Sequence, residues 1–239
     1  MEVESYAHGE PSWQDVSADA AKAADFYSAL FGWEIPEGTE EYGGYRNASL
    51  QGRKVAGISP QNEPGPPVWS TYINVDNADA VAELVAANGG QVMVPPMEVA
   101  PYGTMAIFID PTGAVFGAWQ PAEHRGAEIR NVPGAVTWYE LVTTDVDAAA
   151  NFYSAVFGWV AQAHGGAAAP GGYTEFKLGE KTVGGMMAKP PMIPAEVPSF
   201  WAVYFAVDDT DAAVAKITEL GGKVVMGPTD IQPGRFAVV

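Results

Sequence analysis

Phe26-Tyr27-Ser28-Ala29-Leu30-Phe31-Gly32-Trp33 returns as Phe152-Tyr153-Ser154-Ala155-Val156-Phe157-Gly158-Trp159, seven of eight residues identical at an offset of 126. The match extends outward on both sides. Trp13-Gln14-Asp15-Val16 pairs with Trp138-Tyr139-Glu140-Leu141, Tyr72-Ile73-Asn74-Val75-Asp76 with Tyr204-Phe205-Ala206-Val207-Asp208, and Gly89-Gly90-Gln91-Val92 with Gly221-Gly222-Lys223-Val224. A period this long is not that of a solenoid; it means two homologous domains in tandem. The expected boundaries are 1–120 and 134–239, with 121–133 as linker. That linker is polar with proline near each end, which suits an exposed connector.

Each domain divides again. In the first half, a short strand around Trp13 leads to a helix with Asp19 as its N-cap. Ala20, Ala23, Ala24, Tyr27 and Leu30 follow at helical spacing, and Gly32 stops the helix. Strands at 45–50 and 54–58 come next. The second half repeats the order, with a strand at 71–75, a helix at 78–88 and strands at 91–94, 104–109 and 114–119. Asp110-Pro111-Thr112-Gly113 is a type I turn signature and makes the last two strands a hairpin. Each half therefore reads β-α-β-β-β, and the fold class is α+β.

The 239 residues carry 12 basic and 29 acidic side chains, a net charge of -17. Such a field repels a phosphate backbone, so nucleic acid and an anionic membrane surface are unexpected partners. No run of about 18 apolar residues is present, so no spanning helix is expected. The first residues lack the basic and apolar regions of a signal peptide, which makes the cytoplasm the expected location. There is no cysteine. This excludes disulfides, thiolate metal sites and a cysteine nucleophile.

The Phe-Tyr-x5-Gly-Trp helix, Val75-Asp76 leading into a helix closed by Gly89-Gly90, and Asp110-Pro111-Thr112-Gly113 together resemble the vicinal oxygen chelate superfamily. That group includes glyoxalase I, bleomycin-resistance proteins and extradiol dioxygenases. The resemblance spans nearly the whole chain, twice over, and is strongest to tandem glyoxalase-like proteins of actinobacteria. It implies that each pair of β-α-β-β-β units curls into a half-open barrel around a cavity. In metal-using members, His, Gln or Glu side chains project into that cavity from the first and last strands of each unit.

Carried onto this chain, those ligand positions fall on Trp13, Gly57, Ser70 and Gly117 in the first domain. In the second they fall on Trp138, Gly185 and Ala202. Trp and Gly offer no ligand and Ser is a poor one, so no metal or other cofactor is expected. The three histidines are His8 in the N-terminal arm, His124 in the connector and His164. They do not supply a buried multi-histidine site.

Strand residues two apart share a face. Asp15 and Glu140 lie two beyond Trp13 and Trp138 and should face the cavities, as should Tyr72, Asn74 and Tyr204. With Trp119, these residues would make an aromatic-lined pocket for a small-molecule ligand, and Arg235 is expected either at a cavity mouth or, in so acidic a chain, in a salt bridge. Asp15 and Glu140 could serve as acid/base groups, accept a hydrogen bond from a ligand, or pair structurally with a neighbouring strand. Three readings therefore compete: a metal-independent binder of an aromatic or oxygenated metabolite, a metal-independent acid/base enzyme, and a structural or regulatory module. A monomer with paired domains or a homodimer is expected. Aligning the repeats pairs 234–239 with 103–108, so the second domain as written lacks its last strand.

Overall fold

The computed structural model describes residues 1–61, 65–164 and 172–239. The first unit holds β1 (Pro11–Ala18), α1 (Ala20–Phe31), β2 (Arg46–Leu50) and β3 (Arg53–Pro60). The second holds β4 (Val68–Asn74), α2 (Ala78–Ala87), β5 (Gln91–Val99), β6 (Gly103–Ile109) and β7 (Val115–Pro121). The third holds β8 (Val136–Thr143), α3 (Val146–Phe157), β9 (Val160–His164), β10 (Tyr173–Leu178) and β11 (Lys181–Ala188). The fourth holds β12 (Phe200–Phe205), α4 (Thr210–Glu219), β13 (Met226–Ile231) and β14 (Gly234–Val238). The expected β-α-β-β-β order is complete in the second and third units, and in the fourth two strands, β13 and β14, follow α4. After α1 the middle strand shrinks to a single bridge, Glu34 with Ser49.

Local chemistry sets these boundaries. Asp19, Asn77, Asp145 and Asp209 each accept a hydrogen bond from the backbone N–H three residues on, one cap for each helix. Gly32 and Gly158 close α1 and α3 in the left-handed conformation, at φ 70° and 71°. The Asp110 carboxylate accepts from the N–H groups of Thr112 and Ala114, which fixes the β6–β7 turn.

The first repeat forms one seven-stranded sheet, ordered β2-β3-β1-β4-β7-β6-β5. In the second, β12-β8-β11-β10-β9 form a five-stranded sheet, and β13 and β14 pair only with each other. β1 runs parallel to β3 and antiparallel to β4, so the two units of the first repeat meet along β1 and β4. Each strand has one face toward the helices and one toward the hollow of the sheet. Val16 and Ala18 of β1 pack with Ala23 and Ala24 of α1. Tyr139 and Leu141 of β8 pack with Phe152, Tyr153 and Phe157 of α3. Trp13 and Asp15, Trp138 and Glu140 occupy the opposite faces.

The largest core lies between the repeats, where α2 and the β4, β6 and β7 side chains meet α3 and the second sheet. Tyr153 donates to the Asp110 carboxylate at 3.0 Å and accepts from the Trp201 indole at 2.9 Å. Two tryptophans lock the repeats reciprocally. Trp33 donates to the Gly134 carbonyl at 2.7 Å, and Trp159 donates to the Gly9 carbonyl at 2.8 Å. These are the tryptophans of the repeated Gly-Trp, each reaching a glycine before the first strand of the other repeat. Gln14 and Tyr139, equivalent positions, also meet, with the Tyr139 hydroxyl donating to Gln14 Oε1 at 2.5 Å.

The connector differs from expectation. Gly126, Ala127 and Ile129 are buried rather than exposed. Ala127 N–H donates to Ser12 O at 2.8 Å, Glu128 N–H to Lys54 O at 2.8 Å, and Ile129 bridges to Glu2. Alternating apolar residues at 127 and 129 let the segment act as a further strand-like cover over β1 and β3. No described helix is long and apolar enough to cross a membrane.

Candidate functional site

Period-two alternation on β1 puts Trp13 and Asp15 on the floor of the first half-barrel. Tyr72 of β4 is the register partner of Trp13, and Gly57 of β3 is the partner of Asp15. The Trp13 indole donates to the Tyr45 hydroxyl at 2.8 Å, and that hydroxyl donates to Asp15 Oδ2 at 3.1 Å. The Tyr72 hydroxyl acts on the same carboxylate. The second half-barrel repeats the set. Trp138 donates to the Tyr173 hydroxyl at 2.8 Å, and Tyr204 donates to Glu140 Oε1 at 2.9 Å. Tyr173 also bears on Glu140. Each floor is thus one carboxylate, two phenols and one indole.

Burial governs the charges. Desolvation raises the Asp15 pKa to about 6, partly offset by the phenol hydrogen bonds of Tyr45 and Tyr72. Desolvation also raises Glu140, against the pull of Tyr204 and Tyr173. The phenols Tyr45, Tyr72, Tyr173 and Tyr204 are all pushed up, first by burial and then by the neighbouring carboxylate. They remain protonated donors at neutral pH.

Glycines make room for these rings. A Cβ at Gly57 would collide with the Tyr45 hydroxyl, one at Gly185 with the Tyr173 hydroxyl, and one at Gly117 with the Tyr72 ring. These are three positions where the resemblance places metal ligands, and tyrosine now occupies that space. Among the described residues, no group of three or more His, Asp or Glu side chains converges. One carboxylate with protonated phenols does not fit the family's metal site. Gly185→Ala should displace Tyr173 and lower stability by about 1–3 kcal/mol, as overpacking does. Adding Tyr173→Ala should recover part of that loss in urea denaturation. An additive double variant would show that the ring is not held there.

The two floors differ in access. Trp13, Tyr72 and Trp119 are buried with Ala127, while Trp138, Tyr173 and Tyr204 are only half-buried. His124, assigned to an exposed connector by sequence, sits edge-on to Trp13 at 4.4 Å and near Trp119 at 5.5 Å. Its backbone carbonyl accepts from the Trp119 indole at 2.7 Å. Burial and the Lys54 charge lower its pKa to about 3, so the ring is neutral, and its Nε2 has no protein partner.

Asn74 is buried beside this cluster. It donates to the Tyr6 carbonyl at 3.0 Å, with its Oδ1 unpartnered. Of the two places expected for Arg235, a cavity mouth or a salt bridge, the structure shows the salt bridge. It is exposed and pairs with Asp211 at 2.7 Å and Asp230 at 2.9 Å. The hairpin β13–β14 turns it outward, and its neighbour Phe236 lies 6.1 Å from the Tyr204 ring instead. Tyr45 and Tyr173 escaped sequence reasoning. Their signal was equivalence across the repeat, each just ahead of the glycine-bearing strand.

The model for the Glyoxalase/Bleomycin resistance protein/Dioxygenase superfamily matches residues 16–118 and again 135–238. The chain belongs to this superfamily. Among curated proteins, "Putative glyoxylase CFP32" of Mycobacterium tuberculosis is 44% identical, over 98% of this chain and 91% of that protein. The anthracycline biosynthesis protein DnrV of Streptomyces peucetius is 38% identical, over 97% and 89%. Among solved structures, the Mn(II)-bound glyoxalase of Novosphingobium aromaticivorans superposes with a TM-score of 0.64 at 18% identity, covering 96% of this chain and 80% of that one. The 2,2',3-trihydroxybiphenyl 1,2-dioxygenase of Sphingomonas wittichii gives 0.62 at 13% identity, over 95% and 83%. Those two likenesses show the fold shared by the superfamily.

Proposed function

We propose that this protein is a metal-independent member of its superfamily that binds a small, oxygenated aromatic metabolite in a half-barrel. One observation carries the reading: a carboxylate, two phenols and an indole recur on both floors, with glycines and tyrosines where ligands would stand. Aromatic walls favour a flat ring, and buried hydrogen-bonding groups at the base fix its oxygens. The more open second half-barrel, with Trp138, Glu140, Tyr173 and Tyr204, is the preferred seat. The name of the relative DnrV, an anthracycline biosynthesis protein, supports a polycyclic aromatic ligand.

Titration with 1,8-dihydroxyanthraquinone should quench tryptophan fluorescence saturably, with or without a chelator present. Glu140→Gln should weaken binding about tenfold or more, the scale of a lost hydrogen bond to a charged group. No saturable response, or one that needs added Mn(II), would sink the proposal.

The acid/base reading has its own support. A carboxyl titrating at about 6 can both take and give a proton near neutral pH. Product analysis by mass spectrometry after incubation with the bound metabolite decides between the two. Turnover abolished by Asp15→Asn or Glu140→Gln would favour the enzyme.

A further inference from the structure

A cavity lies beside the second floor and shares Trp138 with it. Its volume is about 280 Å³, and its walls include Tyr6, Arg130, Thr137, Trp138, Lys181 and Thr182. It opens between the N-terminal arm, the connector and the β8–β11 pair.

Arg130 is its distinctive member. The guanidinium lies 5.9 Å from the Tyr6 ring centroid and 5.2 Å from that of Tyr139. Its Nη1 donates to the Pro11 carbonyl at 3.3 Å, and its Nε is buried without a partner. In a chain with 29 acidic residues, Arg130 forms no ion pair among the described residues. Two aromatic faces offset part of its desolvation, but they leave Nε unanswered. Two other cations line the cavity: Lys181, neutralised by Glu10 at 2.8 Å, and the Met1 ammonium, which donates to the Arg130 carbonyl at 2.8 Å. Arg130 therefore faces the cavity without a carboxylate partner, beside aromatic rings and the hydroxyls of Thr137 and Thr182.

We propose that this cavity binds a small monocarboxylate with a flat apolar body, its carboxylate on Arg130. A planar guanidinium matches a carboxylate in two-point contact. The aromatic walls take the apolar body. The volume is below that of a drug-sized pocket and suits a single ring. The site shares Trp138 with the Glu140 floor, and its anchoring cation, Arg130, belongs to neither floor.

Calorimetric titration of the full chain with benzoate, benzamide and inorganic phosphate tests it. Benzoate should bind, with benzamide about tenfold weaker because it lacks the charge-assisted contacts. Arg130→Met should abolish benzoate binding. Glu10→Gln should free the Lys181 ammonium and tighten it several-fold, a gain that misfolding cannot mimic. Equal affinity for benzoate and benzamide, or phosphate binding tighter than benzoate, would overturn the proposal. So would unchanged or weaker benzoate binding in Glu10→Gln.

Discussion

Trp159→Ala should destabilise the protein by about 4 kcal/mol, within the usual range for a buried tryptophan truncated in a core. Trp159 is fully buried, 5.3 Å from Tyr153, 4.9 Å from Phe176 and 6.1 Å from Trp201 between ring centroids. Truncation would leave a void among these rings. It would also strip the Gly9 carbonyl of its only indole donor across the repeat boundary. Trp159→Phe keeps most of the packing and loses the hydrogen bond, at a cost of about 1 kcal/mol. Urea denaturation followed by tryptophan fluorescence and by far-ultraviolet dichroism gives both values. If Trp159→Ala costs less than the Phe variant, the indole is not a lock between the repeats.

Stability should fall by about 3 kcal/mol as pH rises through the titration of Asp15, from a folded-state value near 6 against 3.8 unfolded. The folded chain holds this proton more tightly than the unfolded chain does. The preference for the folded state is therefore complete below pH 3.8. It is lost as pH rises to about 6 and contributes nothing further above that. Asp15→Asn removes the titration. Near pH 7 it should be as stable as the parent or more so, and the difference should vanish below pH 4. Glu140, also raised by burial, bends the profile in the same direction. Midpoints in urea from pH 4 to 8 for parent and variant check the sign. A variant less stable at pH 7 than at pH 4, relative to the parent, would show that the carboxylate is stabilising in its ionised form.

Both effects begin with residues legible in the sequence, but to different degrees. Trp159 was visible as part of the repeated octapeptide, yet its partner Gly9 lies 150 positions away. Asp15 and Trp13 were placed on one strand face by alternation alone, because side chains on a strand alternate with a period of two. By the same rule Trp119 packs with Trp13 and Tyr72, and Trp138, Glu140 and Tyr204 share one hydrogen-bonded floor, while Asn74 bonds the Tyr6 carbonyl. Tyr45, just before β2, and Tyr173, on β10, are not legible in this way because each reaches its floor across an intervening strand, over Gly57 or Gly185. The three glycines were read only as lost ligands, when they are also the space into which tyrosines fit. His124 and the connector were misread for a similar reason. A polar, proline-flanked stretch looks exposed until one knows which sheet it crosses.

The sequence by itself determined the duplicated plan, the helices with their Asp and Gly caps, the Asp-Pro-Thr-Gly turn and the inward-facing aromatic and acidic residues. Caps, turns and alternation act over a few residues, so their causes lie within the same short segment. Only the tertiary structure decided that each carboxylate is wrapped by two phenols, that the connector closes the first floor, and that Arg235 turns outward while Arg130 stays unpaired. Those outcomes depend on which strands become neighbours and how much water they exclude. Burial, and with it the raised pKa of Asp15 and Glu140, is a property of the packed pair rather than of either segment alone.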